Sequence, residues 1–486
     1  MGASLASINK ELRTLINHPT ALVGKQALEH YLVCFQLVLW KQVSWLVSEK
    51  GLPAELETIV RDLWTIRLQT LQDKLEEDDT QAEQFFSSQT EAESDQENDT
   101  TSGNSGDRPP RVLTGICLSF LGILLLGLPF TTADIHGWIS DGGLLYYRAI
   151  RTLESGMKVR LPGRYHMLLD PQHALKPERI SLALVDTISF FATKVGMAWP
   201  SLNTHLCLHR FVCILHLPIE TYAATLRLAG LLDIDFSFDP SSVSKQPSAS
   251  LRSPEARLAA LLVVATKLLF PFDNIQRLPK RPTELAALGM DWERWGKIRQ
   301  RTSMGHDGGA PLRYQQALQT TENDVLNMSE DKLDQYMDWY QRMYVDEEAQ
   351  ETRKLGKEAG FRRAMYRMFP INRTASERDD AEGKEPLIET SLATDSENLL
   401  KDVQAALKPL RVLSEEAAAE AHATPDRPGN YYKRHRTVME LHGLTKAFHE
   451  DAAKLAGLSL ESMLSGVFAL EKRLEQWESQ ARREPQ

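Results

Sequence analysis

The segment RVLTGICLSFLGILLLGLPF, residues 111 to 130, restricts what this chain can fold into more than any other. From Val112 to Phe130 it carries no charged side chain. About 20 apolar residues span a bilayer, so such a run is either a membrane helix or a helix that its neighbours must cover on all sides. The surroundings favour the second. Gly115, Gly122, Gly127 and Pro129 cut the uninterrupted helical part to about fifteen residues. The preceding SGNSGDRPP is polar and turn-forming, without the aromatic belt of a membrane interface. The run lies too far from the start to be a secretory signal, and Ala6 stands where N-myristoylation needs Ser or Thr. The expectation is a buried central helix and no membrane.

Charge is unevenly spread. Between Asp73 and Asp99 there are eleven acids and one base, Lys74, which equals the formal net charge of −10 of the whole chain. The acidity therefore belongs to one low-complexity insert, expected to be disordered over 77–109. The balanced remainder leaves nucleic acid open as a partner. Deleting residues 78 to 106 is expected to leave the melting temperature nearly unchanged, because the insert has too few apolar residues to join a core. A clear fall in calorimetry would make it structural. The four cysteines, Cys34, Cys117, Cys207 and Cys213, all lie in apolar helix-like segments, so a reducing compartment is expected rather than a disulfide framework.

Helical periodicity runs through the chain. Helices are expected over 25–51, with Gly51 as the stop, and then from Pro53, with Leu56, Ile59, Val60, Leu63 and Ile66 on one face. After the insert come the apolar helix 112–126, a helix opened by the capping-box pair Thr131 and Asp134, and a fifth in GGLLYYRAIRTLES. Downstream the pattern repeats at 177–196, 203–216, 218–232, 254–270 and 283–299, with a loop insert at 239–253. Each group contains one helix that is apolar nearly all round. The fold class is all-α: two tandem cyclin-like five-helix repeats, 1–155 and 156–302. They are followed by a helical extension, 303–372, a polar linker, 373–398, and a helical C-terminal region, 399–486.

Four pieces, FQLVLWKQVSWLVSEKGLPAELETIVRDLW, GLPFTTADIHGWISDGGLLYYRAI, LPIETYAATLRLAGLLDIDFSF and LDQYMDWYQRMY, stand in register over roughly residues 25 to 345. Together they resemble the TFIIB-like subunit family of the RNA polymerase I core factor, whose metazoan counterpart is a TBP-associated factor of the RNA polymerase I system. The resemblance implies a transcription initiation factor of the nucleus and nucleolus. It would bridge the ribosomal DNA core promoter, TBP, the other core factor subunits, and RNA polymerase I with its initiation factor. The family normally opens with a zinc ribbon of two CxxC-type pairs. This chain has no CxxC, so either the ribbon has been lost or the sequence begins after it, and no zinc ligand or cofactor is assigned. A cyclin-type regulator of a kinase and a helical scaffold unrelated to transcription are the alternatives.

Enzyme chemistry finds little support. His205, His209, Cys213 and His216 share a helical face with Cys207 nearby, but one straight helix offers at most an i, i+4 pair to one ion. GHDGG, 305 to 309, lacks the Lys-Ser/Thr of a phosphate-binding loop and reads as a linker. No catalytic triad, dinucleotide glycines or paired-carboxylate motif is present. What remains is binding surface. One basic cluster comprises Arg148, Arg151, Lys158, Arg160 and Arg164. A second comprises Arg277, Lys280, Arg281, Arg294, Lys297, Arg299 and Arg301. Of these, Lys158, Arg160, Arg164, Arg277, Lys280, Arg281, Lys297 and Arg299 are the candidate DNA-phosphate contacts, against the alternative of a solvated charged face. Leu460, Met463, Leu464, Val467, Leu470, Leu474 and Trp477 form one apolar stripe, which either packs on its own domain or docks a partner.

Overall fold

The computed structural model describes residues 22–77, 109–171, 173–238, 251–273, 275–307, parts of 316–344, 400–414 and 425–481. The acidic insert, most of the 239–253 loop and the 373–398 linker lie outside them. The described part is helical apart from one short antiparallel bridge, in which Leu288 pairs with Pro409 and Gly289 with Lys408.

The first compact unit holds the described residues of Met1–Asn203, Phe236–Gln246 and Arg252–Glu255. Its helices are α1 (Gly24–Ser48), α2 (Glu55–Glu77), α3 (Val112–Leu125), α4 (Thr132–Ser140), the short α5 (Ser155–Arg160) and α6 (Gly163–Leu169), and α7 (Pro177–Phe190). The apolar run becomes α3, 14 residues long, with Val112 and every residue from Gly115 to Leu124 buried. It is wrapped by α1, α2 and α7. The glycines that argued against a membrane span are where these helices meet. A Cβ on Gly115 would stand 2.5 Å from Gln42 Oε1, and one on Gly122 would stand 2.7 Å from Leu56 Cδ1. Among the described residues one helix, α1, is long and apolar enough to cross a membrane by length and composition; half of its most apolar window is buried inside the protein.

Local signals act as expected at several points. Gly51 turns the chain at φ 65° after α1. The Asp134 carboxylate accepts from the Thr131 N–H (2.7 Å) and hydroxyl (2.9 Å), closing the capping box of α4. The N-terminus of α4 receives a second carboxylate. Buried Glu255 accepts from the Thr132 N–H (3.2 Å) and hydroxyl (2.6 Å), and burial pushes its carboxyl up to about 7.

The fifth helix departs from expectation. Residues 142–154 do not form a regular helix; Ala149–Thr152 is a single 3₁₀ turn entered through Arg148 in a left-handed conformation, φ 54°. The position on the central helix is taken by α7, which packs on α3 and α4. With α7 included, the first compact unit runs to Asn203.

The second unit comprises Thr204–Asp235 and, after the loop, the described residues of Ala256–Gln486. It contains α8 (Thr204–Ile214), α9 (Glu220–Leu231), most of α10 (Pro254–Leu269), α11 (Trp292–Asp307), α12 (Glu330–Tyr344), α13 (Gly443–Leu455) and α14 (Leu460–Ala481). From Ala256 to Ala265, α10 is buried, as expected of a central helix. The helix expected from 283 starts only at Trp292. Before it, Leu285–Ala287 is a 3₁₀ turn, and the Leu410 N–H donates to the Ala287 carbonyl (2.8 Å), drawing this segment into the bridge instead. The C-terminal region is part of the same core. Phe448 of α13 lies 5.8 Å from Trp292 and 5.9 Å from Trp295, and α14 packs on α13.

Candidate nucleic-acid interface

The first basic cluster lies on the chain that leads from the 3₁₀ turn through α5 and α6. The α5 segment is tied down by a backbone bond from the Leu22 N–H to the Arg160 carbonyl (3.0 Å) and by the His30 ring against the Met157 carbonyl (3.0 Å). The Tyr31 ring stacks on Tyr165 at 4.6 Å. On this frame Arg160 is exposed, Lys158 half-buried, and Arg164 lies over the Tyr165 ring at 4.9 Å. Arg148 is held by Asp170 at 3.2 Å. Lys158, Arg160 and Arg164 thus sit within two short helices fastened to α1, a rigid base for charged tips.

The second cluster divides. Lys280, Arg281, Arg294, Lys297 and Arg301 are exposed. Arg277 and Arg299 serve the fold. Arg277 is 7% exposed; its two Nη groups rest on the Asp273 carboxylate at 2.6 and 2.8 Å, and its Nε donates to the Asn430 carbonyl at 2.9 Å. Arg299 grips the Asp451 carboxylate of α13 with Nε and with Nη2 (3.0 Å). Both candidate phosphate contacts thus have donors occupied in holding the C-terminal region to α11 and the chain before it. Sequence spacing cannot reveal this, since Asn430 and Asp451 lie about 150 residues away.

The apolar stripe of α14 also turns inward. Met463, Leu464, Val467 and Leu470 are buried, Leu460 and Leu474 half-buried, and Trp477 is 38% exposed. Leu464, Val467 and Leu470 are thus buried within the unit, and the two ends of the stripe, Leu460 on one side and Leu474 and Trp477 on the other, reach solvent. One buried ion pair accompanies it: Lys267 Nζ donates to Glu471 Oε1 at 2.5 Å, and the Tyr432 hydroxyl donates to the same oxygen at 2.6 Å.

The histidine face of α8 does not converge. His205 pairs with the Tyr222 hydroxyl at 2.9 Å, and His209 meets the Cys213 Sγ at 3.8 Å. Cys207 is buried, and His216 lies beyond the helix end at φ 49°. Among the described residues no three His, Cys, Asp or Glu side chains are grouped to hold a metal ion.

A basic and aromatic stretch that sequence reading passed over, RPGNYYKRHR from Arg427 to Arg436, folds beside Arg277–Lys280. The Leu278 N–H donates to the Asp426 carbonyl at 2.8 Å, and Arg427 Nη1 donates to the Leu278 carbonyl at 3.0 Å and the Leu413 carbonyl at 2.7 Å. Its tyrosine pair followed at once by the basic run KRHR was the available signal.

Residues 35–155 match the profile of the Rrn7/TAF1B N-terminal cyclin domain, and residues 173–344 match that of the Rrn7/TAF1B C-terminal cyclin domain. The chain is similar to the RNA polymerase I-specific transcription initiation factor rrn7 of Schizosaccharomyces pombe. The two are 23% identical over 480 residues, 91% of this chain and 83% of that protein. It is also similar to the RNA polymerase I-specific transcription initiation factor RRN7 of Saccharomyces cerevisiae, at 20% identity over 377 residues, 73% of this chain and 64% of that one. A chain of the crystal structure of the S. cerevisiae core factor superposes with a TM-score of 0.48 at 15% identity, covering 95% of this chain and 98% of that chain.

Proposed function

The chain belongs to the Rrn7/TAF1B family, and on that premise we propose that it works as an RNA polymerase I initiation factor, the TFIIB-like subunit of a nuclear core factor. The observation that carries this reading is the pair of family cyclin domains in tandem, within a chain aligned over most of its length to relatives named as RNA polymerase I-specific initiation factors. Its action is stoichiometric rather than catalytic. Each unit brings its own basic set to promoter DNA, while other surfaces meet TBP, polymerase and the remaining core factor subunits in the nucleolus. Lys158, Arg160 and Arg164 on one unit and Lys280, Arg281 and Lys297 on the other contact phosphates, which position a protein on duplex without reading its bases.

Reversing Lys158, Arg160 and Arg164 to Glu in the assembled core factor is expected to weaken promoter and unrelated duplex about equally. The dependence of log affinity on log salt should flatten by about 0.9 for each phosphate that is no longer neutralised. At exposed Arg160 a charge change should shift stability by about 0.5 kcal/mol or less. Lys158 and Arg164 are half-buried, so the melting temperature of the triple variant is read beside its binding. A folded triple variant with parental affinity and parental salt slope removes this cluster from the DNA path. Co-purification tests the wider reading: polymerase I subunits are expected, and recovery of a kinase instead would overturn it.

A further inference from the structure

The turn that carries Tyr431 is built in an unusual way. Tyr431 has φ 57°, a left-handed conformation that bulky L residues rarely adopt, yet it is 61% exposed. Its backbone is fixed on both sides. Arg277, braced on Asp273, holds the Asn430 carbonyl, while the next residue, Tyr432, points its hydroxyl to buried Glu471. Turning the chain so that Tyr432 enters the core requires the left-handed residue but no ring, because Gly or Asn takes that conformation more readily. The ring of Tyr431 thus stands outward on a fixed base without a packing reason.

Its surroundings are cationic. Lys433 follows two residues on, and Lys280 and Arg281 belong to the segment bonded to this turn; all three are exposed. Nearby acids are engaged. Asp273 holds Arg277, Glu475 holds Arg434 at 2.6 Å, and Glu440 accepts from the Arg436 N–H (2.9 Å) and the Thr437 hydroxyl (3.0 Å). Among the described residues neither Lys433 nor Arg281 has an ion-pair partner. An outward aromatic ring on a fixed turn, with Lys433 two residues on and Arg281 on the segment bonded to that turn, fits a nucleic acid whose bases are unstacked, since stacking needs a free base face and the phosphates need the charges.

We propose that Tyr431, Lys433 and Arg281 form a single-strand contact on the second unit, in which Tyr431 stacks on an unpaired base and the two cations meet flanking phosphates. This deepens the DNA reading of the second basic set and rests on it for Arg281.

The full-length chain should be titrated against labelled oligothymidine and against a labelled duplex of equal length at several salt concentrations. Tyr431→Asn, which keeps a residue tolerant of the left-handed backbone and removes the ring, should lower oligothymidine affinity about tenfold. Duplex affinity should stay within about twofold, and Tyr431→Phe should bind oligothymidine like the parent. Lys433→Glu with Arg281→Glu should flatten the single-strand salt slope by about 1.4, at about 0.7 per phosphate. Parental oligothymidine affinity in a natively melting Tyr431→Asn overturns the proposal, as does a parent chain that does not bind oligothymidine. An equal loss on duplex overturns the unpaired-base assignment. Loss of a co-purifying protein with oligothymidine binding intact assigns the surface to a protein and also overturns it. If Tyr431→Asn melts early, the double charge variant decides, and an unchanged salt slope rejects the contact. Failure of the duplex reading shows only in the duplex arm, so the two outcomes are separable.

Discussion

Glu471→Leu is expected to destabilise the second unit by about 3–5 kcal/mol, the typical cost of removing one partner from a buried ion pair. Lys267 and Glu471 are 5% and 1% exposed at 2.5 Å, so solvent screens the pair little. Burial holds the Lys267 ammonium below the ordinary lysine range, and Glu471 is what pulls it back up. Without the carboxylate, the ammonium keeps only the face of the Tyr432 ring, 4.8 Å away, and the Tyr432 hydroxyl loses its acceptor. The double variant Lys267→Met/Glu471→Leu should recover most of the loss, because well-packed apolar residues often replace a buried pair at little cost. Urea unfolding of the parent, both single variants and the double variant measures the coupling. A Glu471→Leu protein within about 1 kcal/mol of the parent would mean that the C-terminal helix is not locked to α10 by this pair.

The same pair marks the limit of what the sequence discloses. Both central helices and the capping box at Thr131 were legible, because each is a local pattern of apolar period or capping chemistry. Where the fifth helix would come from was not. GGLLYYRAIRTLES has helical periodicity, yet the chain bends at Arg148 and the site on α3 goes to α7, which offers Ile180, Leu184 and Ile188 to the core. In the second unit, α13 and α14 arrive from more than 130 residues beyond α11, a distance at which no sequence period signals contact. The basic clusters show the same limit. Arg277 and Lys280 look alike in sequence, but one is consumed by Asp273 and Asn430 and the other is exposed. Tyr431 went unnoticed because its distinguishing property is a backbone angle.

Leu124→Asp should unfold the first unit. Leu124 is 5% exposed near the end of α3, where every residue back to Gly115 is buried. A carboxylate there would be removed from water. An unpaired buried charge is among the few single changes that cost more than about 4 kcal/mol, comparable to the whole stability of many domains. Leu124→Met, which conserves volume and apolarity, should cost less than about 1.5 kcal/mol and so separates charge burial from general intolerance at the site. Limited proteolysis reads the result by region: in Leu124→Asp, cleavage should spread through α1 to α4, while Leu124→Met stays protected there. If the purified Asp variant melts and resists protease like the parent, residue 124 faces solvent or lipid rather than the surrounding helices. The central-helix reading of the apolar run would then fail, and with it the cyclin-like assignment of the first unit.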